Sequence, residues 1–142
     1  MNATPVIVER TYHASVDRVW KALTSKAEMK EWYFDLAEFK AEVGFSFSFY
    51  AGDERKKFLH LCTITEVVEK KKLAYSWRYD GYPGESFVTF ELFAEGDQTR
   101  VRVTHEGLET FPKTDGDHFA ASNFAEGWKS ILGDALRKHV EA

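Results

Sequence analysis

One cysteine, three prolines and no apolar run longer than three residues set the first limits on this 142-residue chain. Cys62 alone forms no internal disulfide, and its apolar neighbourhood suits a small buried side chain in a reducing compartment. Apolar runs this short fall far below the roughly 20 residues that cross a bilayer and the roughly 7 to 15 of a signal-peptide core. The expectation is a cytoplasmic protein without a membrane span, in which the sequon Asn2-Ala3-Thr4 is a chance match. A basic surplus is missing too. With 19 Lys and Arg against 23 Asp and Glu, the net charge is −4. Phosphate neutralisation needs the opposite balance, so nucleic acid is excluded as a partner. No low-complexity tract, proline-rich linker or solenoid-period repeat marks a boundary, and residues 1–142 read as one domain.

What the chain has in excess is aromatic. Twelve Phe outnumber nine Leu, and rings make up 15% of the residues. Rings this broad fill a core or line a cavity.

Hydrophobic periodicity places the elements. Val6, Ile7 and Val8 are β-branched and read as a strand within Thr4 to Tyr12. Ser15 is a candidate N-cap for a helix whose Val16, Val19, Trp20 and Leu23 share one face, with Asp17 in its first turn. Ser25 with Glu28 has the spacing of a capping box and opens a second short helix toward Trp32. From Phe45 the period becomes two, through Phe47 and Phe49. A turn at 51–54 leads into Lys57 to Val68, a strand long enough to need a bulge. Leu73, Tyr75, Trp77 and Tyr79 alternate with Lys72, Ala74, Ser76 and Arg78, Val88, Phe90 and Leu92 with Thr89 and Glu91, and, beyond the hairpin signal Glu95-Gly96-Asp97, Val101, Val103 and His105 with Arg100, Arg102 and Thr104. A long C-terminal helix carries Ala120, Phe124, Trp128, Ile131, Leu132, Ala135 and Leu136 on its apolar face. Its start lies between 117 and 124, capped by Asp117 or by Asn123 with Glu126. Gly127 inside it predicts close packing against another element.

Strands joined in series by short turns form an antiparallel meander with one apolar face. Six or more strands at about 4.8 Å spacing span roughly 29 Å, whereas one helix is about 10 to 12 Å wide. The sheet must therefore curl around the helix. An aromatic-lined hollow between the two is the expected by-product.

This order of elements resembles the helix-grip domains of the START-related (SRPBCC) superfamily. The motifs Val19-Trp20-Lys21-Ala22-Leu23-Thr24 with Trp32, Leu73-Ala74-Tyr75-Ser76-Trp77, Gly96-Asp97-Gln98-Thr99-Arg100 leading to Thr104-His105-Glu106-Gly107-Leu108, and Gly127-Trp128 before Ile131, Leu132 and Leu136 are similar to its branch related to the activator of the heat-shock-protein-90 ATPase. The resemblance implies an α+β fold in which a curved antiparallel sheet of about seven strands wraps a long C-terminal helix, with two short helices after the first strand. It also implies a cavity that in relatives takes lipids, polyketides or other apolar molecules. Fixed chemistry is not implied, because the superfamily hosts carriers, cyclases, hydrolases and the co-chaperone domains of the stress response.

The aromatic residues Trp32, Phe45, Phe47, Phe49, Tyr75, Trp77, Tyr79, Phe90, Phe124 and Trp128, with His105, are the candidates for lining such a cavity, and core packing is the simpler reading for most of them. His105 has the inward parity of Val101 and Val103 and a side chain suited to acid–base work, yet no Asp, Cys or Ser at triad spacing accompanies it. A hydrogen-bonded core histidine is expected, and no residue is assigned as catalytic. Arg10 shares the parity of Val6 and Val8 and is, with His105, a candidate polar anchor; an Arg reaching solvent is its plainer reading. Histidines at 13, 60, 105, 118 and 139 form no i, i+4 pair, so neither a metal nor another cofactor is expected. Asp115-Gly116-Asp117 is a capping segment rather than a calcium loop. The basic triplets at 55–57 and 70–72 fall at opposite ends of one strand and read as solvated tips. Three readings follow: a binder of a small apolar ligand first, an interaction module acting on a chaperone or another protein second, and an enzyme on an apolar substrate third.

Overall fold

The β-branched run at 6–8 is extended, as its side chains prefer, and strand β1 spans Val6–Tyr12 in a computed structural model that describes residues 5–33, 36, 38–52, 57–111 and 121–141. Helix α1, Val16–Thr24, starts as the sequence indicates: the Ser15 hydroxyl accepts from the Arg18 amide at 3.2 Å, and Val19, Ala22 and Leu23 are buried. Helix α2, Lys26–Trp32, departs from expectation because Ser25 makes no side-chain cap bond. The Glu28 carboxylate is drawn away from the helix start to Arg18 and His139, so the capping box does not form.

Five further strands follow: β2 Ser46–Gly52, β3 Lys57–Val68, β4 Lys72–Tyr79, β5 Ser86–Glu95 and β6 Gln98–Glu106. All pair antiparallel in the order β1-β6-β5-β4-β3-β2, a meander whose last strand receives β1 on its free side. The described residues thus form six strands rather than seven; 38–43, ahead of β2, make no strand. The expected bulge interrupts β3 between Ile64 and Glu66. At the β5–β6 hairpin Glu95 faces Gln98 across two residues, and Gly96 takes the positive φ of 68° that its turn position requires. In the β3–β4 turn, exposed Lys70 reaches Asp17 of α1 at 2.9 Å. The companion residues Arg55 and Lys56 lie outside the described residues.

The C-terminal helix is built from α3, Ala121–Ser130, a π-helical segment, Ile131–Leu136, and α4, Arg137–Val140. Trp128, Leu132, Leu136 and Val140, all buried, are spaced by four. Such a stripe drifts around an α-helix of 3.6 residues per turn, and the wider π turn keeps it against the sheet. The Tyr12 hydroxyl donates to the Leu132 carbonyl at 2.7 Å, giving that carbonyl a partner from β1. Asn123 sits inside the first turn of α3 and is not its cap, while Asp115, Asp117 and Ala120 lie outside the described residues. Gly127 also differs from expectation: a Cβ there meets nothing within 4 Å, so no close packing explains it.

On the outer face, the Glu9 carboxylate accepts from both Arg100 and Arg102, whose guanidinium carbons lie 4.3 and 5.2 Å from the Phe93 ring centre. Here the polar side of the strand alternation is tied together in solvent.

Candidate functional site

Parity carries one side chain in two from each strand to the concave face that meets the C-terminal helix. On β6 this face presents Val101, Val103 and His105; on β5, Ser86, Val88, Phe90 and Leu92; on β4, Leu73, Tyr75, Trp77 and Tyr79; on β2, Phe47 and Phe49, all buried. Trp128 of α3 is the helix's contribution, and its ring centre lies 5.7 Å from Phe90 and 5.9 Å from Trp77. Tyr75 meets Phe47 edge-on at 5.1 Å, and Phe49 meets Trp77 at 5.8 Å. Edge-to-face pairs dominate, the arrangement that ring quadrupoles favour.

The polar atoms in this wall are matched in series. Trp128 Nε1–H donates to His105 Nδ1 at 3.1 Å. An indole nitrogen can only donate, so Nδ1 carries the lone pair and Nε2 carries the proton. That proton goes to the Ser86 hydroxyl oxygen at 2.8 Å, and Ser86 in turn donates to the Trp77 carbonyl at 2.9 Å. His105 is therefore a neutral link between helix and sheet. Burial, with a smaller contribution from the nearby His60, pulls its pKa down to about 3.

His60 stacks on Phe49 at 4.5 Å, and its Nδ1 donates to the Phe58 carbonyl at 3.0 Å. Burial lowers its pKa to about 4, against the hydrogen bonds to backbone that favour the charged form. Trp77 Nε1–H donates to the Tyr79 hydroxyl at 2.9 Å, and Trp32 Nε1–H to the Ala22 carbonyl at 2.8 Å. Two hydroxyls, of Tyr33 and Tyr75, lie 2.6 Å apart between α2 and β4.

Residues 13–141 match the family model of the Activator of Hsp90 ATPase homolog 1-like protein. The chain belongs to this family. Solved structures with the same fold include protein CV1439 from Chromobacterium violaceum, at 22% identity and a TM-score of 0.80 over 97% of both chains. Protein Mll3558 from Rhizobium loti matches at 25% identity and a TM-score of 0.81 over 96% of both. DynU16, described as a putative protein in the dynemicin biosynthetic locus, matches at 22% identity and 0.79 over 99% of this chain and 48% of its own. No curated protein matches this sequence.

Within this family member, the structure gathers Phe47, Phe49, Tyr75, Trp77, Phe90, His105 and Trp128 into one wall. Tyr79 joins it through Trp77, and half-buried Phe124 meets His105 edge-on at 5.0 Å. Trp32 reaches the wall through Tyr33, stacked on it at 5.0 Å. Phe45, also half-buried, contacts Phe39 at 6.4 Å. Arg10 is inward by parity but sits against the π segment, its Nη1 on the Glu9 carbonyl at 2.6 Å and its Nε where a Cβ on Gly133 would be 3.4 Å away. Three polar members of the interior escape the sequence reading. Ser86 looks like a turn residue, Tyr33 lies beyond the periodic stretch of α2, and His60 shares the parity of Phe58 and Cys62, a signal that was legible.

Among the described residues, no group of three or more His, Cys, Asp or Glu is placed to hold a metal. Burial raises the Cys62 thiol above its usual range, which removes thiolate character. Among the described residues, no helix is long and apolar enough to cross a membrane.

Proposed function

We propose that this protein binds a small apolar molecule, of the lipid, polyketide or aromatic kind, between the curved sheet and the C-terminal helix, and that it works in the cytoplasm. The observation carrying this reading is the ring-built interior wall from Phe47 to Trp128, in which the Trp128, His105 and Ser86 polar atoms satisfy one another. A wall of that kind offers broad contact to an apolar surface and few hydrogen bonds, which is how small-molecule sites are composed. Family membership supports it, since members bind hydrophobic ligands or act as co-chaperones.

Catalysis has less support. The nitrogens of His105 are both engaged and Cys62 is held protonated, so neither is available as base or nucleophile. Action on a chaperone ranks second, because the exposed large apolar side chains Ile7, Val43, Tyr50, Val68 and Phe87 are distributed over several elements.

The test is native mass spectrometry of freshly purified protein for a retained apolar molecule, followed by NMR titration with fatty acids, sterols and aromatic polyketides. Shifts at Phe47, Trp77, Phe90 and Trp128, with an affinity near micromolar, about −8 kcal/mol, are expected. Shifts confined to the turn at 69–72, or a protein partner captured with no ligand retained, would reject the interior site in favour of the interaction module.

A further inference from the structure

Tyr33 ends α2, its amide bonded to the Met29 carbonyl at 2.7 Å, and its phenol enters the interior. The ring stacks on Trp32 at 5.0 Å and on Trp128 at 6.3 Å, and its hydroxyl meets that of Tyr75. Tyr75 is 1% exposed and enclosed by the rings of Phe47 and Phe90.

Two phenols bring two protons and four lone pairs, and one mutual bond uses one of each. Burial, the chief influence on both groups, keeps them protonated. Among the described residues, the Tyr75 hydroxyl has no hydrogen bond other than the one to Tyr33. If Tyr75 accepts that bond, its own proton is unused; if it donates, its lone pairs are. Either way, hydrogen-bonding capacity remains at the Tyr75 oxygen. The contrast with its surroundings is sharp: the His105 nitrogens and the indoles of Trp32, Trp77 and Trp128 are all matched.

We propose that the Tyr75 hydroxyl is the polar anchor of the interior site and selects flat aromatic ligands bearing one neutral oxygen, phenolic or carbonyl, over hydrocarbons of the same shape. This rests on the interior-binding reading. The rings around the pair supply the flat contact, and the single open position accounts for the single oxygen. A carboxylate is disfavoured, because a buried charge needs a cationic partner and Arg10 lies instead beside Gly133.

Three probes of one shape decide the matter: naphthalene, 2-naphthol and 2-naphthoate, titrated at neutral pH into the labelled wild type, Tyr75→Phe and Tyr33→Phe and followed by NMR. The wild type is expected to bind 2-naphthol roughly fivefold to tenfold more tightly than naphthalene, the ratio one neutral hydrogen bond supplies, and 2-naphthoate least. Tyr75→Phe should bring the naphthol preference below about twofold, while Tyr33→Phe, which leaves the Tyr75 oxygen in place, should keep it. Should Tyr75→Phe fail to fold, Tyr33→Phe decides alone, since loss of preference there overturns the assignment to Tyr75. Equal binding of naphthol and naphthalene by the wild type, or an undiminished preference in folded Tyr75→Phe, overturns the anchor and leaves interior binding standing. No response of the interior amides to any probe overturns both.

Discussion

The indole N–H of Trp128 points at the one imidazole nitrogen of His105 that has no proton, across 3.1 Å. The C-terminal helix is thereby fastened to the sheet by a bond with a fixed direction. Protonating His105 would set two donors face to face, so this contact and the neutral state of the histidine stand or fall together.

Trp128→Ala is expected to cost on the order of 3 to 5 kcal/mol, as large aromatic truncations in cores do. Trp128→Phe keeps most of the packing and removes the donor, leaving a buried acceptor unmatched, at about 1 to 3 kcal/mol. Urea titration of both variants checks this, and a loss below about 1 kcal/mol for the alanine variant would place Trp128 outside the core.

Acid should destabilise the protein through its two buried imidazoles. In the unfolded chain both take up a proton near the model-peptide value of about 6.5, whereas the folded state holds His60 to about 4 and His105 to about 3. Between those limits the unfolded state binds more protons, so stability is complete above pH of about 6.5 and falls as the pH drops. The slope should reach about 2.7 kcal/mol per pH unit while both groups contribute. Urea midpoints at a series of pH values, repeated with His105→Gln, test this: the variant should show about half the slope, and an unchanged slope would refute the assignment.

Glu28 ties three helices together, accepting from Arg18 of α1 and from His139 of α4 at 2.8 Å while standing on α2. Burial acts to raise its pKa, but the hydrogen bonds from His139 and Arg18 outweigh that and hold the carboxyl below its ordinary range. A depressed folded value stabilises above the ordinary carboxylate range and ceases to do so as pH falls through the folded value. Glu28→Gln should cost about 1 kcal/mol near neutrality, since Arg18 is part-exposed and screened, and the deficit should vanish in acid. Thermal melts of variant and wild type across that range give the answer.

Gly84 and Gly96 both have positive φ, at 102° and 68°, but only Gly84 is crowded: a Cβ there lies 2.4 Å from the Thr110 carbonyl oxygen. Gly96→Ala should lose about 1 kcal/mol through backbone conformation alone. Gly84→Ala should lose at least about 2 kcal/mol more, because main chain at 110 must move. Equal losses in denaturant titrations would show that the main chain at 110 does not crowd residue 84.

Most of the fold was legible because alternation and helical spacing report directly on one-sided burial. Phe47, Phe49, Tyr75, Trp77 and Phe90 were readable as inward-facing from period two, and Ser15 as a cap from its place before Val16. Glu28 was not, because its choice between a local capping box and two distant partners depends on where α4 lands. The six strands follow from the pattern, whereas the seventh came from resemblance and has no counterpart among the described residues. The hydrogen-bond partners inside the site, Ser86 and Tyr33, belong to residue types whose roles are set by tertiary neighbours rather than by spacing.

The π segment lets the C-terminal helix absorb a change of one residue in length without turning. A π turn is an α turn that holds one residue more, so deletion of Gly133 exchanges the π path for an α path and leaves the residues downstream facing as before. Leu136 and Val140 would stay against the sheet, and His139 would stay beside Glu28. In a helix that is α throughout, the same loss turns everything downstream by about 100°. A melting temperature for the Gly133 deletion as low as that of a one-residue deletion within α1 would show that the segment has no such tolerance.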